Sequence, residues 1–138
     1  MLETKFPESG VLNPEVLAYH FTEAGRGETA IRWWHRAGQL AIRRSADMEA
    51  TVHLRKAIEL VATLPPGRDH DRLEIQLRCD LTGPLFGVQG FTSAEAEANG
   101  ERAWELCERS GADEQAFIVQ WGRSQIAMTR GDMARALA

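Results

Sequence analysis

Apolar residues recur at steps of three and four along almost the whole chain, and short clusters of Gly, Pro, Asn and Ser interrupt them at intervals. This spacing places the apolar side chains on one face of each of several successive α-helices. No stretch alternates apolar and polar residues over the length that a half-buried strand needs. The sequence therefore predicts an all-α fold of about seven helices in antiparallel pairs, joined by tight turns.

The turn residues set the expected helix boundaries. Asn13 followed by Pro14 and Glu15 is typical of a helix start, with Asn13 as the N-cap. Residues 1–13 are polar and contain helix-breaking residues, so we expect a lead-in or linker there and one helical domain over 14–138. The expected helices cover about 14–25, 28–44, 47–64, 69 to either 81 or 88, 93–110, a segment around 116–128 and a seventh that begins at Met133.

Composition and charge exclude several classes of protein. Hydrophobic residues make up 43% of the chain and charged residues 26%, which is ordinary for a globular protein. The net charge of −4 argues against a nucleic-acid-binding surface. No run of about 18 apolar residues predicts a membrane span, and the first residues do not form a signal peptide. We therefore expect a cytoplasmic protein that binds neither membrane nor nucleic acid.

The chain carries no recognisable catalytic or metal-binding motif. Cys79 and Cys107 have no Cys or His at ligand spacing, so we expect reduced thiols rather than a disulfide or a zinc site. The four histidines are scattered, without an HxxxH or HExxH pair. Gly83, Gly87 and Gly90 lack the lysine of a phosphate-binding loop, and no serine has an acyl-transfer elbow around it. The sequence thus predicts no catalytic residue, metal or cofactor.

The most regular helix pair covers residues 31–64. Its pattern consists of Trp34 and Gly38 in the first helix and Ala50, Leu54 and Ala57 in the second. Gly38 and Ala50 are small enough to let the two helices approach closely, and Leu54 fills the space beside them. This pattern resembles a tetratricopeptide repeat, although Ala41 stands where that repeat usually has an aromatic residue. The resemblance implies a right-handed α-solenoid.

A second, partial copy of the repeat is expected over residues 117–138. Gly131 and Asp132 look like the turn of the repeat, Ala136 like its crossing alanine, and Ser124 like its small residue in the first helix. This copy stops before its second helix is complete, so the chain resembles a piece cut from a longer protein.

Longer stretches resemble the helical region of large bacterial signalling proteins. The stretches are PEVLAYHFTEAG, AIRWWHRAGQLAIRRSADMEATVHLRKAIELVATLP and AWELCERSGADEQAF. In those proteins a cyclase-like domain of the class III adenylate/guanylate type, or a DNA-binding domain, precedes an AAA-type ATPase and then the repeats. The resemblance implies a non-catalytic scaffold whose partner is another protein or the neighbouring ATPase domain. Two alternatives stay open: an ATP-binding or nucleotide-cyclising parent protein, and a non-functional gene fragment.

The resemblance also implies a binding surface, because the first helices of successive repeats line a concave groove. The groove-facing positions are Arg32, His35, Gln39 and Arg43, which together suit a carboxylate or an acidic peptide. The alternative is a solvated polar face. The wider basic cluster, Arg26, Arg32, Arg36, Arg43 and Arg44, lies near Trp33 and Trp34, but these tryptophans have the spacing of core residues rather than of a base-stacking platform. The sequence leaves the oligomeric state open.

Overall fold

The computed structural model describes residues 13–91, 93–111, 113–129 and 131. Within these residues the chain forms six α-helices and no strand, so the predicted all-α class is confirmed. The helices are α1 (Pro14–Glu23), α2 (Gly27–Arg43), α3 (Asp47–Val61), α4 (Arg68–Gln89), α5 (Ala94–Ser110) and α6 (Asp113–Thr129). The seventh helix predicted from Met133 lies outside the described residues.

The chain divides into two compact units, residues 1–66 with α1 to α3 and residues 67–138 with α4 to α6. The division falls at Pro65-Pro66-Gly67, where the third helix was expected to end, because proline and glycine both interrupt helices. The single solenoid expected over 14–138 stays a prediction.

In the first unit, α2 packs against both α1 and α3. Three residues join α2 to α3, and the middle one, Ser45, has a φ of 59° in the left-handed region. The Ser45 N–H donates to the Ile42 carbonyl at 3.0 Å, and the Ala46 N–H donates to the Ala41 carbonyl at 2.8 Å. These bonds satisfy carbonyls at the end of α2 and reverse the chain, so α3 runs antiparallel to α2.

The crossing of α2 and α3 has the close approach that the sequence predicts. A Cβ atom at Gly38 would lie 2.7 Å from both Cγ and Cδ2 of Leu54, which is well inside van der Waals contact. Ala50, Leu54 and Ala57 are all 0% exposed. Beside the crossing, the Trp34 indole N–H donates to Thr22 Oγ1 at 2.9 Å, which ties α2 to α1.

In the second unit, α4 packs against both α5 and α6, and these two helices also pack against each other. The core of the unit contains Ile75, Ala103, Leu106, Cys107 and Val119. Gly122 brings α6 close to α4, since a Cβ atom there would lie 3.2 Å from Cγ2 of Thr82.

A buried polar network joins α4 to α5. The Glu74 Oε2 atom accepts from Arg78 Nε at 2.8 Å and from Arg102 Nε at 3.3 Å. Asn99 is 3% exposed, and its amide donates to the Arg78 carbonyl at 3.0 Å and to Thr82 Oγ1 at 3.3 Å. Because buried polar groups cost free energy unless they are paired, these bonds fix how α5 lies on α4.

The structure shows how three of the helices begin or end. Asn13 occupies the N-cap position of α1, but its side chain makes no capping hydrogen bond; its backbone carbonyl accepts from the Val16 N–H instead. The fourth helix does not end at Leu81 but continues through a buried Pro84 to Gln89. At the start of α5, Ser93 is the N-cap, and its hydroxyl oxygen accepts from the Ala96 N–H at 3.0 Å.

Candidate interaction surfaces

The four residues predicted to face a groove lie on one side of α2. Their steps of three and four residues place Arg32, His35, Gln39 and Arg43 in one stripe, which we call the basic face. Arg32 and Arg43 are exposed at its two ends, whereas His35 and Gln39 are half-buried between them. The Nε2 atoms of Gln39 and His35 lie 3.2 Å apart, at hydrogen-bonding distance. The structure therefore brings the four side chains onto one helix surface.

The two arginines of the basic face differ from several arginines of the second unit. Within the described residues, neither Arg32 nor Arg43 has an acidic partner. By contrast, Arg109 donates through Nε and Nη2 to both carboxylate oxygens of Asp71, at 3.0 and 2.8 Å. These donors hold the pKa of Asp71 below its usual range. The exposed arginines of α2 thus keep the donor fork that a carboxylate fits.

The helix that carries the basic face is held firmly on its other side. Trp34 and Gly38 lie on the buried side of α2, where Trp34 donates to Thr22 and Gly38 faces Leu54. The Arg36 guanidinium lies 4.9 Å from the centre of the Trp33 ring and stacks on it. The arginines therefore project from a fixed helix rather than from a loop, which lowers the conformational entropy that binding would cost.

A second candidate surface lies on α6, and it is not among the site residues predicted from the sequence. Val119 and Ile126 are buried, but four large apolar side chains of the same helix are exposed. We call these the α6 face: Phe117 at 77%, Ile118 at 48%, Trp121 at 51% and Met128 at 48%. The sequence signal for it is that α6 is apolar on more than one side, which is typical of a helix that packs in two directions.

Among the described residues, His53 is the one buried histidine, and the scattered positions of the histidines in the sequence did not distinguish it. Its ring stacks on Trp34, with the ring centres 5.5 Å apart and the planes 28° apart. Its Nε2 atom lies 3.5 Å from a carboxylate oxygen of Glu15, and its buried Nδ1 atom has no hydrogen-bond partner among the described residues. The contacts of the ring are therefore mainly those of a core residue that links α3 to α2 and α1.

The side chains that could bind a metal ion do not form a metal site in the part of the chain that the structure describes. No group of three or more His, Cys, Asp or Glu side chains lies close enough there to hold a metal ion. Neither Cys79 nor Cys107 forms a disulfide. Burial raises the pKa of Cys79 to about 12, with smaller contributions from Cys107 and Asp80, so its thiol is protonated at neutral pH.

Comparisons with known proteins found no relative of this chain. No protein-family model matches the chain, and no match was found among curated proteins or solved structures. The tetratricopeptide assignment therefore stays a prediction that rests on the residues of α2 and α3. Among the described residues, no helix is both long and apolar enough to cross a membrane.

Proposed function

We propose that this chain is a non-catalytic helical scaffold whose basic face binds an acidic segment of a partner protein or of a neighbouring domain. The observation that supports this most is the pair of exposed arginines, Arg32 and Arg43, which have no acidic partner among the described residues in a chain of net charge −4. Exposed arginines on a rigid helix attract carboxylates and speed the encounter with an acidic partner.

The spacing of the basic face defines the ligand further. Arg32 and Arg43 are eleven residues apart in one helix, which corresponds to about 16 Å along its axis. An extended peptide covers that distance with about five residues. The preferred ligand is therefore an extended segment with two acidic side chains about five residues apart, and the half-buried His35 and Gln39 lie under its centre.

A charge-reversal experiment tests this proposal. Anisotropy of a fluorescein-labelled peptide with two glutamates at that spacing is measured against the full chain at low and high salt. We expect saturable binding that weakens as salt rises, and its loss in the double variant Arg32→Glu/Arg43→Glu.

The matched control is Arg68→Glu/Arg72→Glu, which makes the same charge change at two exposed arginines of α4. This control should bind the peptide nearly as well as the unchanged chain. Equal losses in both double variants would mean that only net charge matters, and the basic face would then not be a binding site.

The wider setting is a proposal that rests on the resemblance alone. We propose that the scaffold belongs to a cytoplasmic signalling protein of the AAA-type ATPase or nucleotide-cyclase class, in which the repeats follow the ATPase domain. Sequencing upstream of Met1 in the genome tests this, because an in-frame Gly-x4-Gly-Lys-Ser/Thr motif is expected there. The chain itself should bind no ATP in a calorimetric titration, and clear binding would contradict a non-catalytic scaffold.

A further inference from the structure

Three side chains of the α6 face, those of Phe117, Trp121 and Met128, form a continuous stripe on the side of α6 that is turned away from its own unit, and Ile118 lies at its edge. Phe117, Trp121, Ser124 and Met128 follow one another at steps of four, three and four residues, so their side chains lie in one row. The opposite side of α6 is occupied, because Val119 and Ile126 are buried there and Gly122 faces Thr82. A row with two large aromatic side chains exposed is typical of a surface that another helix covers.

The first unit shows how this chain covers such a row. In α2 the small residue Gly38 receives the side chain of Leu54 from the antiparallel helix α3. In α6 the small residue Ser124 holds the corresponding place in the row, between Trp121 and Met128. An antiparallel helix with a large apolar side chain at its centre would therefore fit over Ser124 in the same way.

We propose that this helix is α6 of a second copy of the chain, packed antiparallel across a two-fold axis. In such a pair, residues equally distant from the axis lie opposite each other. With the axis between Gly122 and Arg123, Phe117 of one copy faces Met128 of the other, and Trp121 faces Ser124. Each bulky ring thus meets a flexible thioether or a small hydroxyl, and the sulfur–aromatic contact is favourable.

The charges on α6 permit this pairing. Between residues 115 and 129 the only charged residue is Arg123. Its guanidinium is turned towards its own unit, where Nε donates to Glu101 at 3.3 Å and the group stacks over Trp104 at 5.0 Å. Two copies of the α6 face therefore bring no like charges together, whereas two copies of the basic face of α2 would repel each other.

The size of the α6 face sets the strength of the association. Its four exposed side chains present on the order of 400 Å² of apolar surface per copy. A standard stable interface buries about 800 Å² per partner. The dimer is therefore weak, with a Kd between about 1 µM and about 1 mM.

Sedimentation velocity of the full chain over that concentration range tests the proposal. We expect the weight-average mass to rise from monomer to dimer, and Phe117→Glu to keep the chain monomeric because it places a charge in the apolar contact. The matched control is Met48→Glu in α3, which changes another exposed apolar residue, 72% exposed, and should leave the dimer intact. A monomer at every concentration, or a dimer that survives Phe117→Glu, overturns the proposal.

Disulfide cross-linking tests the register. With the axis next to residue 122, Ser124→Cys places two new thiols near each other, whereas Thr129→Cys places them about 20 Å apart along the helices. Oxidation by copper phenanthroline, which takes up the two electrons of the thiol pair, should cross-link only the Ser124→Cys variant. Cross-linking at Thr129→Cys alone contradicts the antiparallel pair.

A monomer in which the Ser124→Cys thiol resists iodoacetamide would mean that the chain covers its own α6 face, and this also overturns the proposal. The basic face lies on a different helix, so a chain that does not dimerise can still bind the acidic peptide. Failure here and failure of the proposed function are therefore separate results.

Discussion

The crossing of α2 and α3 makes a sharp prediction about Gly38. In an exposed or open helix position, Gly→Ala stabilises a protein by about 0.5–1 kcal/mol, because alanine has the higher helix propensity. At Gly38 the new Cβ atom would lie 2.7 Å from two atoms of Leu54, a side chain that is fully buried. Overpacking of this kind costs about 1–3 kcal/mol. We therefore expect Gly38→Ala to destabilise the first unit by up to about 2 kcal/mol.

Removing the neighbour reverses the sign of the effect. Leu54→Ala should destabilise the unit by about 2–5 kcal/mol, because it leaves a cavity in the core. In that background the Cβ atom of Gly38→Ala points into the cavity, so the substitution should stabilise by about 1 kcal/mol. The double-mutant cycle therefore predicts a coupling energy of about 1–3 kcal/mol between the two positions.

Hydrogen exchange at increasing urea, read by mass spectrometry on peptides of α2 and α3, measures the free energy of opening of this helix pair. Gly27→Ala at the start of α2 is the matched control, because a Cβ atom there would lie at an ordinary contact distance of 3.5 Å from Leu64 and should give only the propensity gain. If Gly38→Ala stabilises by the same amount with Leu54 present or absent, the two helices do not cross as described.

Three further predictions concern the second unit. Asp71→Asn should make the free energy of unfolding depend less on pH in the acid range. Arg109 lowers the pKa of Asp71, so their ion pair stabilises the fold above about pH 4 and is lost as the pH falls. Urea titrations between about pH 2 and 6 measure this difference. Cys79 should resist iodoacetamide at pH 8 and react once urea unfolds the unit, since burial raises its pKa to about 12; fast labelling of the folded chain would contradict this. Asn99→Ala should cost about 1–3 kcal/mol in a urea titration, because it leaves the Arg78 network partly unpaired, and a change near zero would mean that water replaces the amide.

The parts of the fold that local residues decide could be predicted from the sequence. Gly38 and Leu54 were assigned to the crossing because only a small residue lets two helices approach, and the structure places them in contact. Pro65-Pro66-Gly67 was expected to end a helix for an equally local reason, and α3 ends at Val61.

Features that depend on tertiary packing could not be decided in this way. Pro84 disfavours a helix interior by about 3 kcal/mol, yet α4 continues through it, because Leu81, Pro84 and Leu85 are all buried in the second unit. The exposed side of α6 was missed for a related reason. An apolar helix gives no sign of which side its own chain covers, and only the packing against α4 and α5 leaves Phe117 uncovered.

The sequence predicted which residues share the basic face, but not which neighbours these residues contact. The stripe of Arg32, His35, Gln39 and Arg43 follows from helical spacing. The contact between His35 and Gln39, and the lack of an acidic partner for the two arginines among the described residues, depend on neighbours that the local sequence does not reveal.

NMR of the arginine side chains is the sharpest test of whether the basic face of α2 binds an acidic segment. A ¹⁵N spectrum resolves the Nε–Hε groups, and the acidic peptide is titrated into the full chain. If the proposal holds, the signals of Arg32 and Arg43 shift and saturate together, while those of Arg68 and Arg72 in α4 stay in place. Shifts of Arg68 and Arg72 with none at Arg32 and Arg43 would contradict it.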